Sequence, residues 1–167
     1  MSSPRERNGP RKGFKKGPPG PFNRKPDKVS DEWLWGWHAV SAALGNDSRA
    51  APQQLLATAE RAKEIEARFG RVRALEVADS NQIANHLPPG AVHQGVALRV
   101  AHLQTWGLEA FDAAPGAVLL MLDQVTDPQN VGAILRSAAA FGAAGVILQD
   151  RHAPQLSGAL AKAAVGA

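Results

Sequence analysis

Residues 118–148 constrain the fold of this chain more than any other stretch of its sequence. Two short apolar runs, 118–122 and 145–148, flank a polar, turn-rich segment and a run with helical periodicity. Two strands joined through a helix form a βαβ unit, in which the strands are parallel. In open α/β sheets, ligands bind beyond the carboxyl ends of the strands. The sequence therefore predicts an α/β fold whose functional site lies at the loop 123–130.

The helical run is predicted to begin at Val131 and to end at Gly142, because glycine commonly stops a helix. One face is apolar and can pack on the sheet. That face carries Val131, Ile134, Leu135, Ala138 and Phe141. The opposite face presents a single cation, Arg136, among very small side chains, which leaves its guanidinium open to a phosphate, a sugar or another backbone. The alternative interpretation is a helix–helix or dimer contact in which Arg136 is an ordinary surface residue.

Asn130 lies at or near the predicted start of this helix. Asparagine caps helices because its side-chain oxygen accepts hydrogen bonds from the free N–H groups of the first turn. The pattern alone therefore favours a capping role for Asn130 over a role in ligand binding.

The loop and the helix together carry an ordered pattern of turn and charged residues. The pattern D-x-V-x-D-P-x-N-x-G-x-I-x-R-x-x-x-x-F-G begins at Asp123 and ends at Gly142. It resembles the first motif of the SpoU/TrmH family, the 2′-O-ribose RNA methyltransferases with a knotted (SPOUT-type) α/β fold. The segments 145–148 and 150–167 resemble the same family.

The resemblance implies methyl transfer from S-adenosylmethionine to a ribose 2′-hydroxyl of RNA. The favoured substrate is a guanosine of large-subunit rRNA, and tRNA is the alternative. Arg136 is the implied activating residue. Because arginine stays protonated in proteins, we favour a bidentate grip on the neighbouring phosphate that orients the ribose. Direct proton abstraction by Arg136 is the other option. Asn130 would hold the loop and hydrogen-bond near the same site, and family members work as homodimers.

In the family, the cofactor lies in a C-terminal knot built from two further motifs. Neither motif occurs before Ala167. The resemblance thus implies that the cofactor-binding residues lie beyond Ala167 and that residues 117–167 are the first part of a truncated methyltransferase domain. We expect a fragment or an incomplete gene model, inactive by itself, and the predicted activity is that of the longer protein.

Residues 31–100 alternate between strand-like and helix-like segments, which predicts a small α/β domain with a mostly parallel sheet covered by helices. The predicted strands are 33–36, 53–58, 72–77 and 96–100, and the predicted helices are 38–44, 59–69 and 80–87, the last capped by Ser80. Residues 101–116 are the predicted linker to the methyltransferase segment.

Two features of residues 31–100 are candidates for function. His93, Gln94 and Gly95 precede the last strand; their polar side chains can donate to phosphates or base edges, and the glycine permits close backbone approach. They resemble the H-Q-G stretch of the family's N-terminal RNA substrate-binding domain, which has a ribosomal-protein-like α/β fold. Trp33, Trp35 and Trp37 alternate, so a strand would place all three on one face. We favour core packing for them, with a base-stacking platform as the alternative.

Charge is distributed unevenly along the chain, which carries a net charge of +4. Residues 1–28 contain nine basic and two acidic residues, so the remainder is slightly acidic. We predict that residues 1–30 form a disordered basic tail, because they offer little to bury. Its cations could bind RNA phosphates without sequence preference; the candidates are Arg11, Lys12, Lys15 and Lys16. The alternative is a solubilising leader.

Composition limits the remaining classes. The sequence has no cysteine, which excludes disulfides and thiolate metal sites, and we predict no metal. No apolar run approaches the ~20 residues that span a bilayer, and the N-terminus lacks the apolar core of a secretion signal. A cytoplasmic protein without membrane contact is expected. The alternative function is a non-catalytic RNA-binding or ribosome-assembly protein on the same scaffold.

Overall fold

The computed structural model describes residues 32–103, 107, 108, 111, 114–149 and 157–167. The tail with its four candidate cations lies outside these residues. The described elements, in chain order, are β1 (Glu32–Trp35), α1 (Trp37–Leu44), β2 (Gln54–Ala57), α2 (Ala59–Phe69), β3 (Leu75–Val77), α3 (Ser80–Ala84), β4 (Val96–Val100), β5 (Leu119–Met121), α4 (Pro128–Ala140), β6 (Gly145–Ile147) and α5 (Gly158–Ala164). The predicted mixed α/β class is confirmed.

The first four strands form one sheet in the order β1-β4-β2-β3. β4 runs antiparallel to both of its neighbours, whereas β2 and β3 are parallel. The prediction of a mostly parallel sheet is therefore wrong. A parallel return needs a crossover that spans the sheet, and α3 has only five residues. The chain therefore enters β4 at the same end of the sheet at which it leaves β3, and β4 runs in the opposite direction.

α3 is capped by a different residue and ends earlier than predicted. Its N-cap is Asp79, whose side chain accepts a hydrogen bond from the Gln82 N–H at 2.8 Å, while the Gln82 side chain accepts from the Asp79 N–H at 2.8 Å. This reciprocal capping box stabilises the helix start. The prediction of Ser80 as the cap is wrong because only Asp79 has a glutamine three residues later.

The sheet buries apolar side chains on both of its faces. Alternate residues of a strand point to opposite faces, so Leu55 packs with Ile65 of α2 while Leu56 packs with Ile83 of α3. Leu55, Ile65 and Ile83 have no exposed surface. Residues 32–100 thus have a core of their own.

Trp33 and Trp35 lie on the face that packs against α3, which agrees with a core role. Trp33 also contacts His86, with ring centroids 4.8 Å apart. The prediction that Trp37 shares this face is wrong, because Gly36 ends the strand at φ +90° and Trp37 begins α1. Trp37 packs against the opposite cluster.

β5 and β6 pair in parallel and are connected through α4, as the βαβ prediction requires. Val131 and Ala138 of α4 are buried, but Phe141 is 91% exposed because it follows the last residue of the helix. Its assignment to the packed face is wrong. Both strands are only partly covered, with Met121 72% exposed.

α5 connects the two parts of the structure. It packs on α4 and also on β1 and α1, so it covers the β1 edge of the four-stranded sheet. Glycines permit both close approaches: a Cβ on Gly158 would overlap the Trp35 ring and the Trp33 carbonyl oxygen. A Cβ on Gly132 would lie 2.6 Å from the Cβ of Ala163. Within the described residues, no helix is long and apolar enough to cross a membrane.

Candidate functional site

The loop predicted over 123–130 spans 122–127, because residues 128–130 already belong to α4. It lies at the carboxyl ends of β5 and β6, where the βαβ pattern places it. Asp123 Oδ1 accepts a hydrogen bond from Gln149 Nε2 at 2.7 Å. This bond joins the segments that follow the two strands, while Gln124 turns the chain at φ +55°. Gln149 was missed from the sequence, although its position as the first polar residue after the second apolar run is a usable signal.

α4 begins at Pro128, three residues before the predicted start. Its N-cap is Asp127, whose Oδ2 accepts a hydrogen bond from the Asn130 N–H at 2.9 Å. Proline suits the first helical position because it lacks an N–H and its φ is already helical. The predicted capping role of Asn130 is therefore wrong. Asn130 is instead a residue of the first turn, and it is exposed.

Arg136 lies on the exposed side of α4, as its helical position predicts. It has no ion-pair or hydrogen-bond partner in the part of the chain that the structure describes. Gly132, on the same small-residue face, is buried against α5. Part of that face therefore makes a helix–helix contact within the chain, while the guanidinium of Arg136 stays accessible.

The structure does not place Asn130 and Arg136 side by side. Six residues of an α-helix separate them by ~9 Å along the axis and by about 120° around it. A ligand that lies along α4 would therefore contact these two side chains through different groups.

The His93-Gln94-Gly95 turn forms hydrogen bonds within the protein. The Gln94 side-chain oxygen accepts from the Trp37 N–H at 2.8 Å, and the Gln94 carbonyl oxygen accepts from Arg61 Nε at 3.1 Å. His93 Nδ1 accepts from the Gly95 N–H at 3.1 Å. Since Nδ1 accepts, the neutral ring carries its hydrogen on Nε2. The Gln94 amide group and His93 Nε2 are the donors that this turn can offer to a ligand.

Gly95 has a structural reason to be glycine. Its φ is +79°, and a Cβ would lie 2.9 Å from Thr58 Oγ1. Its carbonyl oxygen also accepts from the Thr58 N–H at 2.9 Å. The turn is thus packed tightly against the start of α2.

Lys162 of α5 connects the turn to the second half of the structure. Its Nζ donates to the Val92 carbonyl oxygen at 2.8 Å, one residue before His93. Sequence reasoning missed this residue, although Lys162 is the single cation of the alanine-rich segment 158–164. α5 therefore contacts α4 through Gly132, and through Lys162 it contacts Val92, next to the His93-Gln94-Gly95 turn.

Comparison with known proteins identifies the segment that holds Arg136. Residues 117–167 match the SpoU rRNA Methylase family. The chain is homologous to the SpoU family. This relationship confirms the resemblance carried by the pattern from Asp123 to Gly142.

Curated methyltransferases extend the match into the first half of the chain. An uncharacterized tRNA/rRNA methyltransferase of Synechocystis is 31% identical over 165 residues, which covers 93% of this chain and 42% of the relative. The 23S rRNA (guanosine-2′-O-)-methyltransferase RlmB of Xylella fastidiosa is 35% identical over 146 residues, which covers 82% of this chain and 58% of RlmB. The chain thus spans about half the length of the curated relatives it matches.

Solved methyltransferase structures share the fold. The SpoU methyltransferase AviRb of Streptomyces viridochromogenes, solved with the cofactor AdoMet, matches this chain with a TM-score of 0.62 at 22% identity. The match covers 81% of this chain and 51% of AviRb. An AdoMet-bound rRNA methyltransferase of Sinorhizobium meliloti has a TM-score of 0.61 at 24% identity, with 81% and 50% coverage. At these identities the likeness concerns the fold alone.

Proposed function

We propose that this chain is part of an S-adenosylmethionine-dependent RNA methyltransferase that modifies a ribose 2′-hydroxyl. The proposed target is a guanosine of large-subunit rRNA, and tRNA is the alternative target. Both agree with the names of the chain's relatives. The observation that carries the proposal is Arg136 of α4, which is exposed and has no ion-pair or hydrogen-bond partner among the described residues. It lies on the helix that follows a loop at the carboxyl ends of two parallel strands, inside the SpoU-family match.

Arg136 is proposed to hold the RNA phosphate beside the target ribose. A guanidinium presents parallel N–H donors that match two phosphate oxygens, and it stays charged throughout. Fixing the phosphate fixes the ribose, so the 2′-hydroxyl is held in position for reaction. Asn130, on another side of α4, is proposed to contact RNA or loop groups near the helix start.

S-adenosylmethionine is the proposed methyl donor, and it would supply an electrophilic methyl group. The described residues do not by themselves enclose a molecule of that size, because the loop 122–127 after β5 is largely exposed. We therefore propose that residues outside this sequence complete the cofactor site, and that the chain by itself does not turn over.

Residues 31–100 are proposed to present the RNA, with 101–116 as the linker to the methyltransferase segment 117–167. In this scheme His93 offers its Nε2–H group and Gln94 its side-chain NH₂ group to RNA, while Gly95 maintains the turn. The basic tail, with Arg11, Lys12, Lys15 and Lys16, would add phosphate contacts without sequence preference. The longer protein is proposed to act as a homodimer.

Arg136→Ala in the longer protein tests the proposal. We expect methyl transfer from labelled S-adenosylmethionine to rRNA to be lost, while cofactor affinity measured by calorimetry stays nearly unchanged. Ser137→Ala is the matched control, because Ser137 is the exposed neighbour of Arg136 and its hydroxyl donates to the Ala133 carbonyl oxygen of its own helix. A wild-type rate for Arg136→Ala would remove Arg136 from the mechanism. RNA binding without any methyl transfer by the wild-type protein would favour a binding protein on the same scaffold.

A further inference from the structure

The two edges of the four-stranded sheet differ. The β1 edge is covered by α5, whereas β3, in the described part of the chain, pairs only with β2. Beside the open β3 edge, between β3 and α2, lies a groove of about 520 Å³. We call it the α2–β3 groove; its charged lining residues are Lys63, Glu66, Arg71 and Arg73.

The end of the α2–β3 groove that carries Arg71 and Arg73 lies apart from the candidate site. Thr58, just before α2, bonds to Gly95 of the turn, whereas Arg71 and Arg73 follow Phe69, the last residue of α2. Eleven helical residues span ~16 Å, so these arginines lie at the far end of the sheet from the His93-Gln94-Gly95 turn.

The groove carries an excess of positive charge. Lys63, Arg71 and Arg73 are exposed, and none of them has an ion-pair or hydrogen-bond partner among the described residues. Arg61 on the same helix provides a contrast: it pairs with Glu64, stacks on Trp37 and donates to the Gln94 carbonyl oxygen. The cations of the groove are therefore available to an external anion in a way that Arg61 is not.

The backbone that presents the two arginines is anchored. Val72 and Ala74 pack against the core cluster, while Arg71 and Arg73, which alternate with them, remain exposed. Both guanidinium groups are thus presented beside Lys63 from a segment fixed at every second residue. Two or three cations along an open groove suit successive phosphates of an extended polyanion.

We propose that the α2–β3 groove binds the sugar-phosphate backbone of RNA, as a second contact remote from the His93-Gln94-Gly95 turn. This inference rests on the proposed function, because it takes RNA as the substrate. An acidic peptide that adds a strand to β3 would need an edge long enough to pair with. β3 has three residues, so the edge favours a ligand recognised through its charges.

Fluorescence anisotropy with chain 1–167 and a labelled large-subunit rRNA fragment, at a series of KCl concentrations, tests this proposal. Arg71→Gln should weaken binding and reduce the slope of log Kd against log [KCl] by about one. The triple variant Lys63→Gln/Arg71→Gln/Arg73→Gln should reduce this slope by about two to three. Arg68→Gln is the matched control, because Arg68 lies over the ring of Phe69 and does not line the groove; it should leave the slope unchanged. Glu66→Gln, which removes the single carboxylate among the described lining residues, should strengthen binding.

The outcomes separate the two proposals. RNA binding with equal salt slopes for Arg68→Gln, Arg71→Gln and the triple variant would overturn the groove proposal and leave the proposed function standing. Failure of the unmodified chain to bind any RNA would contradict both. Binding of labelled polyglutamate, but not of RNA, with the same dependence on Arg71 would assign the groove to an acidic peptide and overturn the proposal. Circular dichroism of each variant verifies the fold.

Discussion

The two halves of this chain bury their strands to different degrees. Residues 32–100 cover both faces of a four-stranded sheet, and Leu55 and Ile83 on opposite faces are fully buried. Residues 117–167 leave their two strands half-exposed, and Leu160 of α5 is buried at the junction with the first half. A two-stranded sheet is marginal by itself. The comparison teaches that the second half, which carries Arg136, derives part of its stability from the first half through α5.

The largest effect is expected from Ile65→Ala, which creates a cavity in the core of the first half. Ile65 is fully buried, so we expect a loss of ~2–5 kcal/mol in the free energy of unfolding. Because α5 packs on β1, amide exchange should accelerate in residues 117–149 as well. Val77→Ala, on a side chain that is 67% exposed, is the control and should change stability by less than ~0.5 kcal/mol. Retained protection of residues 117–149 in the Ile65 variant would show that the second half is independent.

Gly158→Ala should separate the two halves with a smaller loss. The added methyl group would overlap the Trp35 ring and the Trp33 carbonyl oxygen, and overpacking of this kind costs ~1–3 kcal/mol. Amide exchange should accelerate in α5 and α4 and stay unchanged in β2 and β4. At Gly45, the matched control, a Cβ would have no neighbour closer than 3.5 Å, so Gly45→Ala should have little effect. Equal exchange in both variants would mean that the contact between α5 and β1 contributes nothing.

The sequence predicts local features of both halves better than their contacts. The apolar runs around 118–148 predict β5, α4 and β6, and the accessibility of Arg136 follows from its helical position. Asp127 and Pro128 were assigned to the predicted loop 123–130, although the same two residues form an N-cap and a first helical position. Taking Asp127 as the N-cap and Pro128 as the first helical residue gives the helix start that the structure shows.

The contacts between distant residues are a different case. The place of β4 between β1 and β2 depends on pairings such as Leu34 with Leu98, which no local pattern encodes. The bond from Lys162 to the Val92 carbonyl oxygen joins residues 70 positions apart. Free lysines and bound lysines look alike in a sequence, so the connection between the two halves becomes visible only in the folded chain.

A loss of ~1 kcal/mol is expected from Asp127→Ala, because the first turn of α4 loses its capping acceptor. The effect should stay local, with faster exchange of the Asn130 and Val131 amides by NMR. Asp127→Asn retains a capping oxygen and should behave almost as the wild type. If the Asn variant lost as much stability as the Ala variant, capping would not be the role of Asp127.

The smallest effect is expected from Lys162→Met, which keeps the apolar stem and removes the ammonium group. The bond to Val92 is solvent-exposed, so the loss in unfolding free energy should stay under ~1 kcal/mol. The amide chemical shifts of Val92, His93 and Gln94 should nevertheless move, since the turn loses a contact. Unchanged shifts would mean that α5 does not act on this turn in solution.

Mapping of ribose 2′-O-methylation in large-subunit rRNA tests the central claim most directly. The comparison uses a strain from which the gene is deleted, complemented either with the wild-type gene or with Arg136→Ala. We predict that one methylated guanosine disappears on deletion, returns with the wild-type gene and stays absent with Arg136→Ala. An unchanged methylation map in the deletion strain, or full restoration by Arg136→Ala, would contradict the account.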